Sequence, residues 1–318
     1  RAVRTLLARG LERVLVVVGH DAGPVAAVVG HLTPERVRAV YADRWSDGNG
    51  ASLAAVEGEV TGMGEALLAL VTTDHVFAEG ALDRLLAAGE PAVLIDPAPD
   101  HAAWLEGCRV RVVDGAVVAF GKHLDQPAID CGAFLLPPEV FGCQRQAAAD
   151  GDHTLAGAVT RLARARPLRA VPLPAECWWQ DVDTPQDARA ARMALRRSLG
   201  KDTDGPVSRF VNRPLSTRIS MVLAPLRPAP DLVSLVAFTL GVAGAALLAA
   251  GRGLAGALLV HAASVADGVD GEVARLQLRG GPRGRCWTGC WTGSPTPPSW
   301  PVLGCGRWRG TPPAPCWC

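Results

Sequence analysis

The chain has 318 residues and a formal net charge of +1, so no global field points to nucleic acid as a partner. Hydrophobic residues make up 49 % of it, and the mean hydropathy of +0.18 is high for a purely soluble protein. The length allows two domains of ordinary size, and the apolar excess lies after Asp231, which predicts that part of the chain enters a membrane.

The first residue is Arg1, and no charged-then-apolar signal peptide follows, so the start is expected to lie mid-domain, within a helix. Arg13 to Gly19 is a buried-strand signal, and His20 to Gly30 reads as a helix. Ala66 to Val71 is a second strand, running into Thr72-Thr73-Asp74, and Ala92 to Asp96 is a third. Continuous apolar runs rather than alternating ones suggest a parallel sheet covered on both faces. Strands alternating with helices over 1–200 predict an α/β, doubly wound, mostly parallel domain. Ligands bind such sheets at the carboxyl ends of strands, which singles out Asp74. Cys108, Cys131, Cys143 and Cys177 show no metal-ligand pairing and suit a reducing cytoplasm.

Asp187 to Leu199 is a strong helix pattern, with Thr184 as N-cap and Pro185 in the first turn. A polar break follows at 201–206. In Val207 to Ser220 the cations Arg209, Arg213 and Arg218 alternate with apolar residues, as expected of a basic amphipathic linker (201–230) on the cytoplasmic membrane surface. Leu232 to Ala250 is apolar and close to the ~20 residues that span a bilayer. Gly241, Ala243, Gly244, Ala245 and Ala246 allow close helix approach. Leu254 to Ala266 is a second apolar segment running into Asp267, and the two read as a helical hairpin.

Asp267-Gly268-Val269-Asp270-Gly271-Glu272-Val273-Ala274-Arg275 is the most specific feature of the chain. Asp267 and Asp270 are three apart and share a helix face. Carboxylates at the end of an apolar helix are costly unless compensated, and a divalent cation completed by phosphate oxygens does that. The pattern resembles the CDP-alcohol phosphotransferase signature. That resemblance implies Asp267 and Asp270 as metal ligands and Gly271, Ala274, Arg275 and Gly284 as the CDP site. The signature's third and fourth Asp fall at 288 and 292, where the chain has Thr288 and Thr292. The resemblance gives the third a place in the metal site and the fourth the role of base, so the second reaction is expected to fail without them.

From Arg285 on, the chain holds no Asp or Glu and consists mostly of Arg, Cys, Trp, Gly, Pro, Ser and Thr. Trp is always TGG and Thr begins AC, so Trp287-Thr288 and Trp291-Thr292 both read GAC, an Asp codon, in the shifted frame. Cys-Trp read the same way gives Leu. The hypothesis is that 285–318 is a frameshift product; resequencing around codon 284 tests it, and an unbroken frame with a tail peptide in mass spectrometry defeats it. A zinc module built on Cys286 and Cys290 is the weaker alternative, with no His and no clean second pair.

In the first 200 residues, Asp74-His75-Val76-Phe77 and Trp179-Gln180-Asp181-Val182-Asp183-Thr184 resemble the two metal-binding stretches of nucleotidyltransferases that join a nucleoside triphosphate to a sugar or polyol phosphate. The resemblance makes Asp74 and Asp181 ligands of Mg2+ (or Mn2+). Asn49-Gly50-Ala51-Ser52-Leu53 resembles the nucleotide-side loop, marking Asn49 and Ser52. Gly121-Lys122 and Asp130-Cys131-Gly132-Ala133-Phe134 resemble acceptor-side elements, marking Lys122 and Asp130. A lone Asp at a strand end is more often a turn or cap, so Asp74 and Asp181 carry weight through their joint match. The family's Gly-rich phosphate loop is expected before Arg1.

The order of the two halves resembles the bifunctional inositol-phosphate cytidylyltransferase and di-myo-inositol-phosphate-phosphate synthase family over Arg1 to Gly284. Three regions are then expected besides the first: the linker, the start of a multi-pass membrane domain at 231–284, and the aberrant tail. The resemblance implies CTP, a polyol phosphate and a CDP-alcohol as substrates, membrane lipid as surroundings and a cytoplasmic first domain, with a homodimer left open. The alternatives are the same chemistry on another polyol or sugar phosphate, or a catalytically dead membrane-anchored remnant.

Overall fold

A computed structural model describes residues 1–60, 66–200, 208–226 and 228–277. The first elements are α1 (Ala2–Ala8), β1 (Val14–Val18), α2 (Ala22–Gly30), β2 (Val37–Tyr41), α3 (Asn49–Ala55), α4 (Glu57–Val60), β3 (Leu68–Val71), β4 (His75–Phe77), α5 (Asp83–Leu86) and β5 (Ala92–Asp96). They are followed by α6 (His101–Glu106), β6 (Val110–Val113), β7 (Ala116–Phe120), β8 (Ile129–Leu136), α7 (Glu139–Ala149), α8 (Leu155–Ala165), β9 (Leu168–Pro172), β10 (Trp179–Asp181) and α9 (Pro185–Arg197).

The central sheet has six strands in the order β3-β8-β5-β9-β7-β6. Its register makes β3, β5, β9 and β6 run one way and β8 and β7 the other. The α/β class is as the sequence predicts, and most strands share a direction. The sheet is nevertheless mixed, because reversed β8 lies between β3 and β5. Two further ladders complete the domain: β1 with β2, parallel, and β10 with β4, antiparallel.

The unbroken apolar runs follow from burial on both faces. Successive side chains of a strand point to opposite sides. Val93, Ile95, Phe134 and Leu136 face one core with Val140, Phe141, Val159 and Leu162 of α7 and α8. Ala92, Leu94, Cys131, Ala133 and Leu135 face the other, packed by Val14, Val16, Val18, Phe77, Leu82 and Leu85.

Helix α9 starts with a capping box. The Thr184 hydroxyl accepts from the Asp187 backbone N–H at 3.3 Å, and the Asp187 carboxylate accepts from the Thr184 N–H at 2.8 Å. Three helices follow: α10 (Arg213–Leu223), α11 (Pro230–Ala249) and α12 (Gly253–Leu276). The expected hairpin is α11 against α12, turned at Gly251 with φ +75°. The two helices touch at Gly244 and Gly256: a Cβ on Gly244 would lie 2.8 Å from Val260 Cγ2 and 3.1 Å from the Gly256 carbonyl. Among the described residues, α11 alone is long and apolar enough to cross a membrane, by length and composition.

The second apolar segment runs into Asp267 as expected, and α12 continues past it unbroken to Leu276, so Asp267 and Asp270 lie on the same helix as the apolar run. One expectation changes here. Arg213, expected on a membrane surface, turns inward to Glu272. Gly284, Thr288, Thr292, the cysteine-rich tail and linker residues 201–207 lie outside the described residues.

Candidate active site

The chain from Val71 to Phe77 leaves β3, turns, and re-enters as β4, which carries His75. Asp181 lies directly opposite His75 in the antiparallel β4–β10 ladder. Asp74 adjoins it, and its backbone carbonyl accepts from the Val182 N–H at 3.1 Å. These ladders bring residues over a hundred positions apart into one cluster: donor atoms of Asp74, His75 and Asp181 all lie within 4.8 Å of one another.

His75 is the centre of the cluster. Its Nδ1 is 2.7 Å from Asp74 Oδ1, 2.8 Å from Thr72 Oγ1 and 3.7 Å from Asp181 Oδ1. The ring stacks on Trp179, with centroids 5.1 Å apart and planes 6° apart, and Trp179 Nε1 donates to Asp96 Oδ2 at 2.9 Å. Thr72 reaches across to β8, its hydroxyl donating to the Gly132 carbonyl at 3.3 Å. Gly132 has φ +67°, and its N–H donates to Asp130 Oδ1 at 2.9 Å. A side chain at 132 would strike the Thr72 hydroxyl and the His75 ring, so this position requires glycine sterically as well as conformationally.

The electrostatics follow from this packing. The bond from His75 holds the Asp74 carboxyl below the usual carboxylate range against its own partial burial. Burial pushes the Asp181 and Asp130 carboxyls up. Burial also opposes charge on His75, but Asp74, Asp181 and Asp130 together outweigh it and raise its pKa.

The donor set fits a hard divalent cation. Asp181 Oδ1 is buried and, among the described residues, has no hydrogen-bond partner, although it faces Asp74 and His75. An orphaned carboxylate oxygen beside a second carboxylate is what Mg2+ or Mn2+ binds.

The other sequence-marked residues are less concentrated. Asn49 opens α3, but its side-chain carbonyl is engaged by the Leu155 N–H at 2.7 Å, tying α3 to the start of α8. Ser52 is half-buried on α3, and Lys122 is exposed in the turn after β7. Asp130 is on β8, beside the cluster. Thr72, Trp179 and Asp96 carry no mark in the sequence, since Trp179 and Asp96 meet across 83 positions and Thr72 is held to Gly132 across 60.

On α12, Asp270 Oδ2 accepts from Ser234 Oγ of α11 at 2.6 Å. Asp267 lies three residues before Asp270 on the same helix. Arg275 Nη2 donates to the Leu199 carbonyl beyond α9 at 3.1 Å. Arg275 also lies against Gly271, its Nη1 3.5 Å from where a Cβ there would be. Glu272, which sequence reasoning passed over, is fully buried and accepts from Arg213, Ser216 and Ser220 of α10.

A mixed sheet accompanied by the β4–β10 ladder, which sets Asp181 beside Asp74, is a nucleotidyltransferase-like α/β fold. The inositol-1-phosphate CTP transferase of T. maritima superposes with a TM-score of 0.53 at 19 % identity, over 60 % of this chain and 79 % of that one. UDP-glucose pyrophosphorylase complexed with UDP-glucose gives 0.51 at 12 %, over 62 % and 85 %. No family model matches the chain. By sequence the chain is similar to proteins named bifunctional IPC transferase and DIPP synthase. The relative from Rubrobacter xylanophilus is 38 % identical over 291 residues, 89 % of this chain and 65 % of its own length. The one from Thermococcus kodakarensis is 31 % identical over 88 % of this chain and 62 % of its own length. The chain therefore spans somewhat under two thirds of these relatives.

Proposed function

We propose that the protein transfers a cytidylyl group from CTP to a polyol phosphate, inositol 1-phosphate by preference, at the Asp74–His75–Asp181 cluster. The observation that carries this reading is the orphaned Asp181 Oδ1, opposite His75 in the β4–β10 ladder and in one cluster with the Asp74 carboxylate. The names of the relatives and the shared fold support it.

A phosphate oxygen of the acceptor attacks the α-phosphorus of CTP, and the bond to the β-phosphate breaks, releasing diphosphate. A bound Mg2+ or Mn2+ supplies charge screening between the two phosphate groups. Asp74 and Asp181 are the residues that hold it. Trp179 and Thr72 fix the imidazole of His75 against Asp74, so the carboxylate is oriented before substrate arrives. Lys122 and Asp130 are assigned to the acceptor side, and Asn49 and Ser52 to the nucleotide side, with Asn49 acting by holding α3 in place.

The family's second step, transfer of the phospho-polyol from the CDP-alcohol to another alcohol with release of CMP, is assigned to α12, and with Thr288 and Thr292 in place of the signature's third and fourth Asp this chain is expected to fail at it. There Asp267 and Asp270 bind metal and Gly271, Ala274, Arg275 and Gly284 line the CDP site. The setting is a multi-pass membrane domain with the α/β domain cytoplasmic. An inside-out α10 supports membrane surroundings: Ser216, Thr217 and Ser220 are buried while Leu215, Ile219 and Val222 on its other side are exposed. Exposed Leu232, Leu235, Phe238 and Val242 on α11 and Leu254 and Leu258 on α12 extend that apolar surface.

Diphosphate release from CTP, measured against a panel of polyol and sugar phosphates with Mg2+, tests the reading. Release with inositol 1-phosphate is expected. Release with another acceptor alone changes the substrate, and none with any acceptor favours the remnant reading.

A further inference from the structure

Glu272 is the most deeply buried charge on α12, with its side chain fully enclosed. Its Oε1 accepts from Arg213 Nη1 at 2.7 Å and Ser216 Oγ at 2.8 Å, and its Oε2 from Ser220 Oγ at 2.7 Å. All three donors come from α10, on three successive steps of one face. Gly268, one turn earlier on α12, also faces α10: a Cβ there would sit in ordinary contact, 3.5 Å from Ser216 and 4.0 Å from Arg213 Nη1. Ser264, one turn earlier again, accepts from Asn212 Nδ2 at 3.1 Å. Ser264, Gly268 and Glu272 therefore form the stripe of α12 that meets α10.

Helix geometry then sets where the motif carboxylates point. Each residue advances about 100° around the axis, so Asp270 is turned about 200° from Glu272 and Asp267 about 140°. Fixing Glu272 against α10 turns both Asp side chains away from α10. The Asp270 bond to Ser234 shows that this second direction leads to α11. A fully apolar contact would leave the rotation of α12 loosely set, whereas three directed hydrogen bonds to one carboxylate admit one setting.

We propose that Glu272 is a positioning residue, which locks the rotation of α12 through Arg213, Ser216 and Ser220 and thereby presents Asp267 and Asp270 as one cation-binding face. The inference rests on the reading of that pair as a divalent-metal site.

The test is Mn2+ titration followed by electron paramagnetic resonance. It uses the full chain in detergent and carries D74N and D181N, so that α12 reports alone. The parent binds Mn2+, and D267N/D270N abolishes that binding. In R213M/E272L the charge pair is replaced as a unit by apolar side chains, a change that commonly leaves stability intact. Its helicity is expected to be retained while its Mn2+ affinity falls by about tenfold or more, the usual scale for losing a residue that orients a ligand. E272Q keeps the side-chain shape and one acceptor oxygen for Arg213 and Ser216, the Ser220 hydroxyl can turn to accept from the new amide, and it stays closer to the parent than R213M/E272L. R213M/E272L binding Mn2+ like the parent overturns the inference, as does affinity that falls only together with helicity. If D267N/D270N leaves Mn2+ binding unchanged, the metal reading of α12 fails and takes the inference with it.

Discussion

Asp181 faces His75 across the β4–β10 ladder, with its Oδ1 3.7 Å from the imidazole Nδ1 and, among the described residues, no hydrogen-bond partner of its own. A buried carboxylate oxygen left in this state is expensive unless something cationic completes it. Replacing Asp181 or Asp74 by Asn keeps the shape and removes the charge. Each change is expected to lower kcat/KM for diphosphate release by about a hundredfold or more, the scale of a lost metal contact worth several kcal/mol.

The same cluster sets a pH dependence for folding without metal. The pKa of His75 is raised above its ordinary 6.5, so protonated His75 contributes stability that is fully present below 6.5 and is lost as pH rises through the raised value. Asp74 is lowered from 3.8, so its contribution is present above 3.8 and is lost as pH falls through the lower value. Urea midpoints of metal-free protein, followed by tryptophan fluorescence, should therefore decline above pH 6.5. His75→Gln should remove that decline; an unchanged slope in the variant contradicts the assignment.

Gly132 has φ +67° and faces Thr72 and His75. Gly132→Ala adds both backbone strain of about 1–3 kcal/mol and a collision with the cluster. A lower unfolding temperature together with weaker Mn2+ binding is expected. Gly115→Ala, at φ +77° with open space around it, serves as a control that carries strain alone and should leave Mn2+ binding unchanged.

Burial and the nearby Asp130 push the Cys108 thiol up to about 12, and burial pushes Cys131 well above its usual range. Neither is a useful nucleophile at neutral pH. Iodoacetamide at pH 8 should leave both unmodified in the folded chain and label both after unfolding, as read by peptide mass spectrometry.

Gly256 meets the Gly244 carbonyl and Leu248 where α11 and α12 cross. Gly256→Leu inserts a side chain where backbones touch and should separate the hairpin. Reduced thermal stability of the helical signal, with the α/β domain unaffected, is the expected result.

Much of this was legible in the sequence because it is local. The run Ala92–Asp96 is the strand it was read as, and Thr184, Pro185 and Asp187 start α9 with the expected cap. Asp74 and Asp181 were found as a pair through motif resemblance, and the fold brings them together. What was missed depends on partners far along the chain. Reversed β8 is as apolar as its neighbours, so its direction leaves no mark on composition. Glu272 looks like an ordinary helical glutamate until Arg213, Ser216 and Ser220 close over it. Trp179 falls in the stretch that resembles a metal-binding element, but its own contact, the ring lying on His75, shows only in the fold. Asn49 shows the reverse case, since the residue marked for nucleotide ties α3 to Leu155.

Anomalous diffraction from crystals soaked in Mn2+ tests the central claim most directly. A peak within about 2.5 Å of carboxylate oxygens from both Asp74 and Asp181 is the expected result. Mn2+ bound elsewhere, with those two carboxylates left unbridged at saturating metal, would contradict the account.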